Sequence, residues 1–298
     1  MNKRYYIVIL AFVAAFDAAV AQQLQLWYDK PAQRWEETLP LGNGRLGMMP
    51  NGKVQDESIV LNEISLWSGS AEDANNYDAY KRVGEIQRLL IAGKNDEAEA
   101  LVNKNFIASG QGSAYGNGSK APYGSYQNFG YLNFQHFIPG EVQQYRRSLS
   151  IAEAKAQTTF ESNGVSYKRE YFTSFGANVG VIRLTANKKK SIGFAVHYYR
   201  DENIKNYHID KDVISIDGIL PNGKGQDGNS FAGKIRVLNT GGTKQVYDNQ
   251  IIVKDADEVL ILFVASTGYY GHDPLSIVQQ ELDKVAPMAY DKLWSAHT

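Results

Sequence analysis

Asn163-Gly164-Val165-Ser166-Tyr167-Lys168-Arg169-Glu170-Tyr171-Phe172 is the stretch on which the reading of the fold turns. Asn-Gly is the strongest short hairpin signal, because both central residues of a type I′ turn need positive φ. The residues after it are rich in β-branched and aromatic side chains and alternate over their first half, as a half-buried strand does. Ala156–Phe160 on the other side of the turn is therefore expected to pair with Val165–Phe172.

Outward from this hairpin the same texture continues. Val179–Leu184 and Ser191–Tyr199 read as strands, with a turn at Asn187–Lys190. Val213–Ile216, Ala232–Leu238, Gln250–Val253 and Glu258–Ala265 extend the series, and Gly241-Gly242 reads as another hairpin turn. Many short strands separated by turn signals argue for a mainly β fold, a large antiparallel β-sandwich. The 27 Gly and 19 Tyr agree with turns and strands.

A helical island interrupts the strands. Tyr80, Val83, Ile86 and Leu90 recur at helical spacing, and Gly93 marks the stop. Asn95 or Asp96 is expected to cap a second helix to about Phe106, with Ala98, Leu101 and Val102 inward. Ser109–Gln127 is long and poor in apolar residues, which is the composition of a functional or mobile loop. Asp273-Pro274 opens a helix carrying Ile277, Leu282 and Val285. Ala289–His297 follows, with Tyr290, Leu293 and Trp294 on one side; with no partner after them, these three are expected to form an exposed apolar face.

The N-terminus reads as an export signal. Lys3 and Arg4 precede the apolar run Tyr5–Phe16, and Ala19-Val20-Ala21 is a small-x-small cleavage site before Gln22. A chain without cysteine can hold no disulfide and no lipoprotein anchor, which suits a bacterial periplasm or exterior. Within 298 residues, the net charge of −1 argues against a nucleic-acid partner, which needs a concentrated basic face.

Motifs of chemistry are mostly negative. Gly42-Asn43-Gly44-Arg45-Leu46-Gly47 fits G-x-G-x-x-G, but Met49-Pro50-Asn51-Gly52 follows it and cannot open the helix a dinucleotide site requires. Two tight turns on adjoining strands are the better reading. The five His are scattered, and Asp227-Gly228-Asn229 reads as a polar loop tip with too few ligands for Ca²⁺. No metal and no cofactor are expected. Asn117-Gly118-Ser119 is a formal glycosylation sequon.

Leu39-Pro40-Leu41-Gly42-Asn43-Gly44-Arg45-Leu46-Gly47-Met48 resembles the opening signature of glycoside hydrolase family 95, the α-L-fucosidases. Ile59–Gly69 is similar to the second signature, LNEDTLWSG, and Tyr126–Leu132 to the third, YQPLGDL. Tyr145–Leu149 and Gly164–Glu170 match in order and spacing. In this chain Tyr131 replaces the acid of the third signature, and Asn128-Phe129 replaces Pro-Leu.

The resemblance implies a super-sandwich N-terminal domain over 22–272, preceded by the signal at 1–21 and followed by the start of a helical linker at 273–298. It also implies an (α/α)6 barrel beyond this chain that supplies the general acid and the water-positioning groups for inverting hydrolysis of fucosylated glycans. No catalytic residue is then expected here. Asn62, Glu63, Trp67, Tyr126 and Gln127 are the candidates for a substrate cleft or a barrel-facing surface. Trp67 and Tyr126 offer aromatic faces to a pyranose, or else anchor a strand end in the core. Asn62 and Glu63 bond sugar hydroxyls, or else pin the following loop, with Arg45 as a partner for Glu63. The alternative function is a free-standing carbohydrate-binding or structural module. Partners are thus a glycan and a catalytic domain, with no membrane anchor.

Overall fold

The computed structural model describes residues 24–112 and 119–298. The export signal and most of the sequon lie outside the described residues. The chain forms two antiparallel sheets packed face to face. The nine-stranded sheet runs β1 (Gln25–Tyr28), β6 (Val142–Ser150), β7 (Lys155–Ser162), β8 (Val165–Ser174) and β9 (Val179–Ala186). It continues through β16 (Glu258–Thr267), β13 (Asp227–Thr240), β12 (Val213–Pro221) and β11 (Ile204–Asp210). The seven-stranded sheet runs β14 (Thr243–Tyr247), β15 (Gln250–Ala256), β10 (Ile192–Tyr199), β5 (Gly130–His136), β4 (Asp56–Glu63), β3 (Leu46–Pro50) and β2 (Leu41-Gly42).

The Asn163-Gly164 hairpin forms as its sequence requires. Both residues have positive φ, 48° and 70°, and Ser162 faces Val165 across the turn. In that register Ala156 faces Tyr171 and Phe160 faces Tyr167. Tyr167 and Tyr171 point between the sheets, where they join Phe129, Phe194, Phe231 and Phe263 in the main core. Aromatic side chains fill a layer of this width because each removes a large apolar area from water.

Gly241-Gly242 is not a hairpin. Both φ values are positive, but the chain there leaves β13 in one sheet and enters β14 in the other. The actual hairpin is β14–β15, closed by Asp248-Asn249, where Tyr247 faces Gln250. Asp227-Gly228-Asn229 is likewise no loop tip, since β13 begins at Asp227.

The helical insertion begins with a 3-10 turn at Ala79–Arg82, continues as α1 (Val83–Ile91), and ends at Gly93. Gly93 N–H donates to Leu90 and Lys94 N–H to Leu89, the paired bonds of a Schellman stop. α2 (Asn95–Asn105) starts after Lys94 without any side-chain cap, so neither Asn95 nor Asp96 fills that role. Only Ile86 and Ala98 are buried on these helices; Tyr80, Val83, Leu90 and Val102 are exposed, so the apolar stripe is present but mostly uncovered.

At the other end, α3 (Pro274–Val285) is capped by the Asp273 carboxylate, which accepts from Leu275 and Ser276 N–H. α3 packs across β13 and β16 on the outer face of the nine-stranded sheet. α4 (Tyr290–Ser295) joins it there. Leu293 is 0% exposed, and the rings of Tyr290 and Trp294 stand 5.9 and 5.3 Å from Phe172. The expectation of a bare apolar face on this segment is therefore wrong. Its partner is the sheet itself: Phe172, Val181, Leu262 and Val264 project outward and form a second core with the helices.

Candidate functional site

The first three signature segments, 39–48, 59–69 and 126–132, meet at one end of the sandwich, while Tyr145 and Arg169 of the other two reach Gly52 and Glu57 towards the opposite end of β4. Leu41-Gly42 pairs with Gly47-Met48 across a tight turn in which Asn43 Oδ1 accepts from the N–H of Arg45 (2.9 Å) and Leu46 (2.7 Å). Asn43 Nδ2 donates to the Ser174 carbonyl at 2.8 Å, fixing this hairpin to the end of β8. The glycine hexamer is thus a β-hairpin, which offers no helix N-terminus for a pyrophosphate.

The turn presents Arg45 to three partners. Its guanidinium lies 3.6 Å from Glu63 Oε1, donates to Glu281 Oε1 on α3 at 3.0 Å, and donates to the Ala265 carbonyl at 3.2 Å. The Arg45–Glu63 pair was expected; its link to α3 was not. Burial raises the pKa of Glu281, while the charge of Arg45 and a 2.6 Å hydrogen bond from Asn178 oppose it.

Glu63, at the end of β4, is buried and accepts from both the N–H (2.8 Å) and the hydroxyl (2.7 Å) of Ser65. The Ser65 hydroxyl also meets Thr267 Oγ1 at 2.6 Å, and Asn229 Nδ2 donates to the Ser65 carbonyl at 2.8 Å. Glu63 therefore holds the 64–69 loop rather than reaching solvent. Thr267 and Asn229 are parts of this site that sequence reading missed. Their contacts to Ser65 span 202 and 164 residues, and no local pattern carries that information.

Above this base lies an aromatic pair. Trp67 and Tyr126 form an isolated antiparallel bridge, with ring centroids 5.5 Å apart and planes tilted by 59°. They are 46% and 42% exposed, so the core-anchor reading of Trp67 does not hold. Trp67 Nε1 donates to the Ile64 carbonyl at 3.0 Å, and the Tyr126 hydroxyl donates to Asn62 Oδ1 at 3.0 Å, which orients both rings. Burial of its inner edge, then the charge of Glu63, raises the Tyr126 pKa, so its hydroxyl is a neutral donor.

Gln127 turns elsewhere. Its Oε1 accepts from Arg200 at 2.6 Å, and its N–H donates to the Leu66 carbonyl at 3.0 Å. The structure thus brings Asn62, Trp67 and Tyr126 together at the surface, sets Glu63 beneath them, and uses Gln127 to tie the loop to Arg200. Tyr131, in place of the signature acid, accepts a hydrogen bond from Asn128 at 3.2 Å and lies 6.4 Å from the ring of Tyr199. Among the described residues there is no group of three or more His, Asp or Glu able to hold a metal ion, and no helix long and apolar enough to cross a membrane.

Comparison with known proteins agrees with this surface of signatures. The chain is 25% identical over 93% of its length to alpha-L-fucosidase 2 of Arabidopsis thaliana and covers 35% of that protein. It is 27% identical over 96% of its length to a probable alpha-fucosidase A of Aspergillus niger and covers 38% of it. It thus spans little more than a third of the curated relatives it matches. A putative kojibiose phosphorylase from human microbiome superposes with a TM-score of 0.48 at 9% identity, covering 92% of this chain and 37% of that one. Residues 26–272 match the family model described as glycosyl hydrolase family 65, N-terminal domain. This match runs from within β1 to just before α3, and by it the chain belongs to the family of glycosyl hydrolase N-terminal domains, with relatives named as α-fucosidases.

Proposed function

We propose that this chain is the N-terminal β-sandwich domain, with the start of a helical linker at 273–298, of an exported α-L-fucosidase-like hydrolase. In its full-length form the enzyme acts on fucosylated glycans with inversion at the anomeric carbon. The observation that carries the proposal is the convergence of the first three signature segments, 39–48, 59–69 and 126–132, around Arg45 and Glu63, beneath an oriented and exposed Trp67–Tyr126 pair. Such a pair suits the apolar face of a pyranose, and the Asn62 amide beside it suits a hydroxyl. Inverting hydrolysis needs a general acid and a base that activates water across the scissile bond. A barrel outside these residues supplies both, and the sandwich end forms one wall of the cleft or the seat of the barrel. Export rests on the N-terminal segment, cleaved after Ala21.

The test uses a full-length enzyme carrying this domain. Proton NMR of 2′-fucosyllactose hydrolysis is expected to show β-fucose as the first anomer, and the mature N-terminus by mass is expected at Gln22. Trp67→Ala is expected to lower kcat/KM about tenfold or more, the loss of roughly one well-packed aromatic contact. Unchanged kinetics in that variant place Trp67 outside the cleft, α-fucose as the first product rules out inversion, and retention of Met1 in exported material rules out cleavage. A carbohydrate-binding module with no catalytic partner is the second reading; the exposure of the same aromatic pair favours it equally.

A further inference from the structure

The two outer faces of the sandwich differ in chemistry. The nine-stranded sheet turns ion pairs outward, such as Lys168–Glu170 (2.9 Å) and Arg183–Glu258 (2.7 Å), and is covered in part by α3 and α4. In the seven-stranded sheet Leu132, Phe134, Phe194, Val196, Ile251 and Val253 point into the core, so the residues between them point outward. Those outward residues form rows across the strands. Tyr199 faces Tyr131, which faces Val60. In the next row His197 faces Asn133, which faces Ser58, and Tyr247 faces Gln250. Beyond it Ala195 faces Gln135.

In these rows there are tyrosines, amides, one imidazole and small apolar side chains. Among the described residues of these strands, the exposed charges lie at the margins, on Asp56, Lys254 and Asp255. Burial holds the pKa of His197 below its ordinary value, so its ring is neutral at neutral pH. The two central rings are preset: the Tyr199 hydroxyl donates to Asp201, and the Tyr131 hydroxyl accepts from Asn128. Preset side chains lose less entropy when a ligand binds. Where β10 leaves the sheet, the face runs into a groove of ≈ 510 Å³ lined by His197, Tyr199, Arg200, Tyr207, Asp248 and Gln250. That volume lies in the range of roughly 300–1,000 Å³ usual for small-ligand sites.

Over the rows themselves a charged ligand finds no counter-charge, and the Arg200 that lines the groove already donates to Asn128 and Gln127, while a protein partner would bury its amides without fixed acceptors. A neutral saccharide matches it, since its C–H face packs on aromatic rings and each hydroxyl both donates to and accepts from an amide. We propose that the outer face of the seven-stranded sheet is a binding platform for a neutral oligosaccharide. Sugar rings lie on Tyr131 and Tyr199, hydroxyls bond Asn133, His197 and Gln250, and one end of the chain enters the groove. This site is separate from the Trp67–Tyr126 pair and stands whether or not the domain serves a hydrolase.

The test is saturation-transfer NMR and calorimetry on this chain, with 2′-fucosyllactose and lacto-N-tetraose at millimolar concentration as probes. Binding of at least one probe is expected. Tyr131→Ala/Tyr199→Ala should weaken it about tenfold or more, and Tyr199→Ala alone, at an exposed position, by severalfold. Tyr199→Phe, which keeps the ring, should leave it within about twofold. Two results overturn the proposal. One is the absence of binding to either probe. The other is loss of binding in Trp67→Ala with retention in Tyr199→Ala, which moves the site to the signature end and leaves the proposed function intact.

Discussion

Glu57 lies in the middle of the sandwich, buried, with three side chains turned on its carboxylate. Arg169 Nη1 donates to its Oε2 at 2.9 Å, the Tyr171 hydroxyl donates to its Oε1 at 2.6 Å, and His136 Nε2 stands 3.4 Å from Oε2. Arg169 also donates to the carbonyls of Lys53 (2.8 Å) and Val54 (2.6 Å), so the guanidinium leaves little unsatisfied. Burial alone would raise the Glu57 pKa, but Arg169 above all, then His136 and Tyr171, keep it below the usual carboxylate range. Burial, then the charge of Arg169, drives His136 the other way, down to about 4 from 6.5, against the pull of Glu57. The sign of the pH dependence follows. Between 6.5 and about 4 the unfolded His136 binds a proton that the folded one refuses. This contribution is intact above 6.5 and is lost as pH falls to about 4, a change of about 3 kcal/mol. Urea unfolding between these pH values should show a slope reduced by about one proton in His136→Gln. An unchanged slope in that variant means that His136 titrates normally. Arg169 and Tyr171 were in plain view in the quoted strand, and alternation puts both on the inward face. Their partner lies 112 and 114 residues earlier, so the pattern gives the side they face and is silent on the charge they meet.

Elements that depend on local chemistry were legible, and those that depend on a distant surface were not. Asn163-Gly164 dictates a turn because few residue pairs tolerate positive φ twice, and the strands beside it were already alternating. Gly241-Gly242 has the same backbone signature, yet there it carries the chain between sheets. A Cβ on Gly242 would meet the Lys254 carbonyl at 2.1 Å, so the glycine answers to close backbone approach rather than to a hairpin. Glu258–Ala265 was readable as a strand but not as one buried on both faces. Ile261 and Phe263 fill the inter-sheet core while Leu262 and Val264 meet the C-terminal helices. The same gap explains α1 and α4. Period 3.6 reveals an apolar stripe, but only the tertiary fold decides what covers it, and here α4 is covered while α1 is largely bare. Leu293→Ser/Trp294→Gln should therefore destabilise the chain by about 3–5 kcal/mol, with a clear fall in Tm. The Trp294 ring also holds the Lys155 ammonium at 4.2 Å, a contact the variant removes. An unchanged Tm would mean that α4 detaches in solution.

On the scale of the whole molecule, the β-rich texture, the absence of a metal motif and the run of signatures pointed to a sandwich from a fucosidase-like hydrolase. The two sheets and the family match over 26–272 bear out that fold and that kinship. The candidate surface was half legible. The signatures named Asn62, Glu63, Trp67 and Tyr126 because whole motifs could be compared, but Thr267, Asn229, Glu281 and Arg200 carry no motif and enter only through folding. The chain spans 35–38% of the α-fucosidases it matches, and the proposed division of labour places the acid and the water-activating base in the remainder. The most direct test is fucose release from 2′-fucosyllactose by this purified chain, beside a full-length enzyme that contains it. The full-length enzyme should release fucose, and this chain alone should give none above a mock purification. Turnover by the chain that is absent from the mock would contradict the account, because the catalytic groups would then lie within these residues.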